Sequence, residues 1–527
     1  MFFGTLSIEF GVYIGYKMAM IKAPFSMPKT LADSNALVLE QHYVIEKLQL
    51  QIATLKRARF GASSEAIDSI VDQMELTLED LIPEQAAILQ GQPDAGKAII
   101  EAEAKQKPVR KPLPEHLPRD ITEYLPNDGM CDCCGGSLHR IGEDVTEVLD
   151  FVPASFRVKR HVRPKMACRA CDTVKQAPAI SLPIEKGRPG PGLLSQVLTS
   201  KYADHTPLYR QSGIYAREGV DISRNTMADW VGRSMELVRP LVDAIGKHVM
   251  QGDAIHTDDT PVPVQAPGMG KTKAGRIWTY LRDERDWQGD AASAAFYRYS
   301  PDRKGARPQD HLKNYFGYLH ADGYAGYEKL FAGGRITEVA CLAHVRRKFF
   351  DLHKANGSLI AKEALERIAA LYGIEKQIRK KPPDIKQQVR GQKARPLFEA
   401  LQAWLPLQLN KIPAKSALAG AIRYAITRLK RLGVYLENGR LAIDNNAAER
   451  SIRSIALGRK NFLFYGSDRG GDRAAAAYTL LESAKLNGIN PQAYLTWVFD
   501  TIADHPINRI EELLPWNFSE AQLEEAA

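Results

Sequence analysis

The chain has 527 residues, more than one hydrophobic core usually serves, so we expect two to four domains. Its 71 Lys and Arg residues outnumber 62 Asp and Glu residues, and the formal charge of +9 suits a polyanionic partner without requiring one. Six cysteines are too few for a disulfide framework, and no uncharged apolar run is long enough to span a membrane. We therefore expect a cytoplasmic protein that does not bind membranes.

The first 118 residues are predicted to form a tail, a helix and a linker. Residues 1–36 are apolar but contain Glu9 and Lys17 and lack a cleavage site, so we expect a tail that is disordered or that begins before the true start codon. Residues 37–60 have apolar heptad positions and predict a short coiled coil of the leucine-zipper type. An amphipathic helix packed on its own domain is the alternative. Residues 61–118 are predicted to form a helix and a basic linker.

Five of the six cysteines cluster in one short region. Cys131-x-x-Cys134 is followed by Cys168-x-x-Cys171. Two such pairs supply four thiolates for one tetrahedral Zn²⁺ in a closed structural site. We therefore predict a zinc-binding domain over residues 119–188, and we expect the sixth cysteine to be a small buried side chain.

Residues 189–250 have the pattern of consecutive helices. A break before Ser223, a plausible N-cap, separates two short helical patterns and resembles a helix-turn-helix. Arg224 and Asn225 would open the second helix, where residues that contact bases often lie. A purely structural helical hairpin is the alternative.

Short runs rich in β-forming residues begin at Ala254 and predict a sheet of at least three strands. In AIHTDDTPV, strand alternation places Asp258 and Asp259 on opposite faces, so only one of them can point into a given site. Asp322 ends a later apolar run. Helical patterns then continue from CLAHVRRKFFDLH to about residue 436.

The segment DNNAAERSIR carries the third group of candidate residues. Helical spacing places Asn445, Glu449 and Arg453 on one face, where an acid could bind a metal while the amide and guanidinium contact phosphate. Asp444 is predicted to cap this helix. Carboxylates brought together by a fold suit Mg²⁺, but single acids are commonly turn or cap residues, so the residues alone leave these roles open.

Several segments together carry a family resemblance. The segments HTDDTPV, HADGYAGY, CLAHVRRKF and DNNAAERSIRSIALGRKNFLFYGS, in this order, resemble the insertion sequence 66 family of bacterial transposases. The similarity extends to LKRARFGASSEAI, the double CxxC unit and KYADHTPLYRQSGIYAREGV. It covers nearly everything from about residue 40 to residue 515.

This resemblance implies a multidomain protein of the α+β and α/β classes. Its RNase H-like catalytic core would span residues 251–485, with a helical insertion at about 350–436 and a C-terminal helical segment over 486–527. The coiled coil, the four-cysteine zinc unit and the helix-turn-helix-like region would precede the core. The implied catalytic residues are Asp258, Asp322 and Glu449, which would hold two Mg²⁺ or Mn²⁺ ions. The family motif usually has Glu at the position of Asp259, which leaves an exchange of roles with Asp258 open.

The resemblance further implies binding to the terminal inverted repeats of an insertion sequence, DNA cleavage and strand transfer into target DNA. A homo-oligomer in a synaptic complex is expected, with two small companion proteins of the same element as possible partners. Alternatives are a transposase-derived DNA-binding protein without catalysis, a hydrolytic nuclease of the same fold, and a zinc-stabilised assembly subunit. Besides Arg224, Asn225 and Asn445, the candidate DNA contacts are His344, Arg346, Arg347, Arg450, Arg453, Arg459 and Lys460.

Overall fold

The computed structural model describes residues 156, 158, 165–167, 174–176, 181–185, 187–268, 270–519 and 521. The predicted coiled coil, the basic linker and the four predicted zinc ligands lie outside these residues. Two three-residue strands, β1 (Lys165–Ala167) and β2 (Val174–Gln176), pair antiparallel within the predicted zinc domain. Within the described ranges, no helix combines the length and apolar character needed to cross a membrane.

Four helices precede the main sheet, as predicted. They are α1 (Pro191–Tyr202), α2 (Leu208–Arg217), α3 (Arg224–Leu237) and α4 (Arg239–Met250). The predicted N-cap is confirmed, because the Ser223 hydroxyl accepts the Thr226 N–H at 3.1 Å. The second helix of the hairpin therefore begins at Arg224.

A mixed five-stranded sheet forms the centre of the described chain, which confirms the predicted combination of a sheet with helices. In spatial order the strands are β5, β4, β3, β6 and β7. The strand β4 is antiparallel to β3 and β5, whereas β3, β6 and β7 are mutually parallel. Their bounds are β3 (Ala254–Gln265), β4 (Thr272–Arg282), β5 (Ala294–Ser300), β6 (Gly317–Ala321) and β7 (Ile336–Ala340). Two short helices, α5 (Ala306–His311) and α6 (Glu328–Ala332), lie in the connections.

The register of the parallel strands brings two predicted acids to one place. His256 on β3 is paired with His320 on β6. Two residues beyond these histidines lie Asp258, within β3, and Asp322, directly after β6. Because the two strands are parallel and in this register, both acids lie at the level of the sheet where β6 ends.

A helical insertion follows β7 and has its own hydrophobic core. Its buried side chains include Phe349, Ile368, Leu371 and Ile422. A π-helical turn (Arg390–Ala394) joins the third and fourth helices. The helices are α7 (Leu342–Asn356), α8 (Leu359–Gln377), α9 (Pro383–Val389), α10 (Arg395–Leu409), α11 (Ala417–Ile426) and α12 (Leu429–Leu432), and a 3₁₀ segment (Gly433–Glu437) ends the series.

The chain then returns to the sheet through α13 (Asn446–Asn461), α14 (Asp468–Leu486) and α15 (Pro491–Thr501). The helix α14 covers the outer edge of β5. The hydroxyl groups of Ser483 and Thr479 accept the N–H groups of Ala295 and Tyr297 at 3.1 and 3.0 Å. These bonds satisfy donors that an uncovered edge strand would leave unpaired.

Arg390 anchors the helical insertion from inside. Its fully buried guanidinium group forms two hydrogen bonds to the Glu375 carboxylate, at 2.8 and 2.6 Å. It also donates to the carbonyl oxygens of Tyr435, Asn438 and Leu441 at 2.9 to 3.1 Å. A buried charge is tolerated when all of its donors are paired in this way.

We predict that Arg390→Ala destabilises the insertion strongly. The substitution leaves the Glu375 carboxylate, which is 13% exposed, without its partner, so the local opening free energy should fall by about 3 to 5 kcal/mol. Hydrogen exchange of the amides in α8 and α10 measures this change. The matched control is Arg395→Ala, because Arg395 is 38% exposed and its partner Glu437 is 64% exposed; its loss should cost about 0 to 1 kcal/mol. Equal effects of the two variants would contradict the anchoring role.

Candidate active site

The three predicted acids come from distant parts of the chain and lie on different elements of the fold. Asp258 lies on β3, Asp322 directly follows β6, and Glu449 lies in the first turn of α13. Burial, followed by the charges of Asp322 and Glu449, raises the pKa of Asp258 from its ordinary value of 3.8 to about 8. The charges of Asp322 and Glu449 therefore act on the Asp258 carboxyl group.

The adjacent acids Asp258 and Asp259 have different partners. The Asp259 carboxylate is 2% exposed and forms ion pairs with Arg276 and Arg303, at 2.9 and 2.8 Å. The Asp258 carboxylate accepts the Asp259 N–H at 2.7 Å and forms no ion pair within the described residues. Two guanidinium groups thus neutralise Asp259, whereas Asp258 faces other acids. The prediction that strand alternation separates the two side chains is confirmed.

Asn445 ties the strand of Asp258 to the helix of Glu449. Its side-chain amide donates to the carbonyl oxygen of Thr257 at 2.8 Å, and its amide oxygen lies 3.0 Å from His256 Nδ1. Asn445 is 1% exposed, so the DNA contact predicted for it is wrong: its polar atoms are used inside the protein. The helical spacing was correct, but it could not show that the helix buries this position.

The predicted cap of α13 also needs correction. The N-cap residue is Asn445 rather than Asp444, and its side chain does not cap the helix. Asp444 instead accepts the Asn446 N–H at 3.2 Å and the Tyr372 hydroxyl at 3.0 Å. Asp444 therefore fixes the turn before the helix and links it to α8.

Two histidines form a neutral layer beside the acids. The rings of His256 and His320 stack with their centroids 4.1 Å apart. Burial lowers the pKa of His256 to about 4, and burial also lowers the pKa of His320 well below its ordinary value. Both rings are therefore uncharged at neutral pH, and they do not neutralise the neighbouring carboxylates.

His344 and Cys341 complete one side of the site. The helix α7 begins directly after β7, and His344 in its first turn brings Nδ1 to 3.6 Å from Glu449 Oε1. Cys341 is 4% exposed, which confirms the predicted small buried side chain, and its Sγ accepts the Asn445 N–H at 3.2 Å. The sequence had suggested only a DNA contact for His344, and it assigned no role to Cys341.

The other candidate DNA contacts are spread around the site. Arg450 lines a cleft with Asp283, Arg285 and Glu482. Arg459 donates to the Pro261 carbonyl oxygen, and burial lowers its pKa. Arg346 lies over the Phe350 ring at 5.7 Å, Arg453 is partly buried, and Arg224, Asn225, Arg347 and Lys460 are exposed. Contact of these side chains with DNA stays a prediction.

Two arginines near Asp322 were missed by the sequence interpretation. Arg428, just before α12, packs against Gly323; a Cβ atom on Gly323 would lie 3.1 Å from Arg428 Nε. Gly323 also has a φ of +81°, which favours glycine. Arg303 lies over the Tyr324 ring at 4.2 Å, and Asp322 is among the acids that raise its pKa. Neither arginine belongs to a local pattern, because the fold alone brings it to the site.

The chain is similar to transposases along most of its length. Four family models, each describing part of a transposase, match consecutive segments of the chain. They define a transposase of an insertion element, with DNA as its partner. Their descriptions are "Transposase C of IS166 homeodomain" for residues 47–121, "zinc-finger binding domain of transposase IS66" for 128–172, "Transposase IS66 family" for 186–473 and "IS66 C-terminal element" for 479–516.

The particular family follows from the longest of these matches, which covers more than half of the 527 residues. The chain belongs to the IS66 family of transposases, which confirms the resemblance predicted from the sequence. The zinc-finger match includes all four predicted zinc ligands, and the homeodomain match overlaps the predicted coiled coil and linker.

Three proteins of Sinorhizobium fredii (strain NBRC 101917 / NGR234) are similar along most of both chains. The uncharacterized protein y4hP is 39% identical over 496 residues, 90% of this chain and 89% of its own length. The uncharacterized protein y4jD is 36% identical over 513 residues, with 95% and 99% covered. The uncharacterized protein y4qI is 37% identical over 491 residues, with 90% and 89% covered. Their names assign no activity.

We predict that Asn445→Ala destabilises the region where β3 meets α13. The substitution removes two buried side-chain hydrogen bonds and leaves the Thr257 carbonyl oxygen without its amide donor, so the free energy of unfolding should fall by about 1 to 3 kcal/mol. Urea unfolding of the full chain measures the change. Asn225→Ala, at an exposed position, is the matched control and should change stability by less than about 0.5 kcal/mol. A loss of the same size in both variants would count against the role of Asn445 as a link.

Proposed function

We propose that this transposase cleaves and joins DNA at a site formed by Asp258, Asp322 and Glu449. The observation that carries the proposal is the raised pKa of Asp258, about 8. Burial and the charges of Asp322 and Glu449 raise it, although the three acids come from different parts of the fold. Such mutual repulsion is unfavourable unless the site serves a cation or a proton transfer. Asp258 is the proposed first ligand, because Asp259 is already neutralised by two arginines.

The proposed catalytic core is an RNase H-like domain. Three features support this: the strand order β5, β4, β3, β6, β7, the single antiparallel strand β4, and acids on or directly after two neighbouring parallel strands. The helical insertion lies between β7 and the helix that carries Glu449. This arrangement accounts for the long separation in sequence between the second and third acids.

The donor set fits a divalent cation with oxygen ligands. Carboxylates are the ligands that Mg²⁺ and Mn²⁺ prefer, and Asp258 is not paired with an arginine among the described residues. When bound, such a cation would polarise the scissile phosphate and promote ionisation of the attacking hydroxyl group. Asp258, Asp322 and Glu449 would hold it, and the neutral histidines beside them would not compete for their charge.

The remaining residues of the site would bind and orient DNA. Arg428 lies against Gly323, next to Asp322, and offers positive charge to a phosphate group. The basic residues of α13 and the exposed start of α3 are proposed contacts with flanking DNA. We propose the terminal inverted repeats of the element and a target duplex as the DNA substrates, and a homo-oligomer as the active assembly. Two small companion proteins of the element are further proposed partners.

A structural zinc ion is proposed for the segment matched by the zinc-finger model. Cys131, Cys134, Cys168 and Cys171 would provide four thiolates in a closed tetrahedral site. Such a site would stabilise the small domain before the helical hairpin and would leave no position for a substrate.

A hydrolytic nuclease is the second candidate function. The same three acids could promote attack by water alone, so the acid cluster does not separate cleavage from joining. Joined DNA products are the discriminating observation. Cleavage without any joined product would favour the hydrolase.

We predict that Asp322→Asn reduces joining of element-end DNA to a target by a factor of about 10³ or more, because it removes one cation ligand. Binding of the end DNA should change by less than about twofold, since no basic side chain is altered. Gel assays of strand transfer and of DNA binding, with Mg²⁺ or Mn²⁺, measure both effects. The matched control is Asp310→Asn, because the Asp310 carboxylate is 62% exposed on α5 and should not affect joining. Wild-type levels of joining by Asp322→Asn would disprove the assignment.

We also predict a pH-dependent affinity for Mn²⁺. The raised pKa keeps the Asp258 carboxyl group protonated below about pH 8 in the metal-free protein, so a bound cation has to displace this proton. The dissociation constant should therefore fall by up to about tenfold per pH unit between about pH 6 and 8 and level off above this range. Electron paramagnetic resonance of free Mn²⁺ measures the constant. Asp258→Asn should bind more weakly and lose most of the slope; an equally steep slope in this variant would contradict the prediction.

A further inference from the structure

A second group of metal-binding side chains adjoins the three acids. Cys341 and His344 flank the start of α7 as a Cys-x-x-His sequence, and Glu449 faces them from α13. One ligand atom of each residue, the thiol sulfur, a ring nitrogen and a carboxylate oxygen, lies within 4.8 Å of the other two. The fold thus brings a sulfur, a nitrogen and an oxygen donor together.

The distance between the nitrogen and oxygen donors is close to that between two ligands of one ion. His344 Nδ1 lies 3.6 Å from Glu449 Oε1, which is too long for a hydrogen bond. Ligand atoms of a tetrahedral Zn²⁺ with ordinary bond lengths are about 3.3 to 3.6 Å apart. His344 Nδ1 is also inaccessible to solvent and has no hydrogen-bond partner in the described part of the chain. A buried ring nitrogen without a partner is unfavourable unless something binds it.

The thiol of Cys341 is held toward this group. Its Sγ accepts the Asn445 N–H at 3.2 Å, and Asn445 is itself fixed by Thr257 and His256. The sulfur therefore has a defined position relative to α13. An ion could enter from the side of His344 and Glu449, whose side chains are 29% and 22% exposed.

We propose that Cys341, His344 and Glu449 form a binding site for a thiophilic divalent cation such as Zn²⁺. A thiolate, an imidazole and a carboxylate are a donor set that Zn²⁺, Co²⁺ and Cd²⁺ accept, whereas Mg²⁺ prefers oxygen ligands alone. The thiol proton is released to solvent on binding, and no redox change is involved. Its three ligands are different residues from those of the four-cysteine unit.

Glu449 belongs to both groups, which gives the site a consequence for activity. A thiophilic ion bound by Cys341 and His344 would draw Glu449 away from Asp258 and Asp322. Micromolar Zn²⁺ should therefore inhibit joining in the presence of Mg²⁺. This consequence rests on the proposed function, but ion binding itself does not.

Cobalt absorption of the full chain tests the site directly. Co²⁺ bound through a thiolate gives a charge-transfer band in the near ultraviolet. After the four-cysteine unit is loaded with Zn²⁺, titration of the wild-type protein with Co²⁺ should add one equivalent with this band. Cys341→Ser should lose the band, and Cys133→Ser, a matched change outside both ligand sets, should keep it.

His344→Asn is a second test of the site, because the buried position of Cys341 means that Cys341→Ser can lose the band through misfolding alone. His344 is partly exposed, so its replacement should preserve the thermal unfolding transition while raising the Co²⁺ dissociation constant at least about tenfold. Identical titrations of the wild type, Cys341→Ser and His344→Asn would overturn the proposal. Asp322→Asn separates the two proposals, because it should abolish joining yet retain the cobalt band. Loss of the band in Cys341→Ser and His344→Asn together with normal joining by Asp322→Asn would support this site while contradicting the proposed function.

Discussion

The candidate site depends on one unfavourable arrangement. The Asp258 carboxyl group is buried, and the charges of Asp322 and Glu449 act on it. Nothing about a stable sheet requires it, since burial and like charges both oppose ionisation there. The neighbouring groups do not relieve it: the stacked His256 and His320 are uncharged at neutral pH, and the nearby arginines Arg276 and Arg303 are directed to Asp259. The fold thus maintains a carboxyl group that keeps its proton until a ligand compensates the negative charge, and this connects the structure with cation binding.

Two connections hold the cluster in place. Asn445 links β3, α13 and Cys341 through its side chain and its backbone N–H, so Asp258 and Glu449 are fixed relative to each other. The helical insertion supplies the second connection, because Arg428 packs on Gly323 directly after Asp322. Inside the insertion, Arg390 ties the helices together, because all of its donors are paired there. The helical insertion, which has its own hydrophobic core, therefore contacts the turn directly after Asp322.

The sequence predicted those features that are encoded locally. Alternation along AIHTDDTPV separated Asp258 from Asp259, and Ser223 was a recognisable N-cap because capping depends on adjacent residues. The family resemblance led to the three acids and is confirmed at the level of the family. Asn445 was misassigned because helical spacing gives the relative directions of side chains but not which face is buried. Arg303 and Arg428 depend on long-range contacts, which no local pattern contains, and so does the approach of Glu449 to the Cys341-x-x-His344 sequence.

Anomalous diffraction from crystals of the full chain grown with Mn²⁺ tests the central claim most directly. The account predicts an anomalous peak ligated by carboxylate oxygens of Asp258 and at least one of Asp322 and Glu449, with Asp259 still paired to Arg276 and Arg303. A Mn²⁺ peak ligated by Asp259 instead, or clear density for the three carboxylates with no Mn²⁺ among them at saturating concentration, would contradict it.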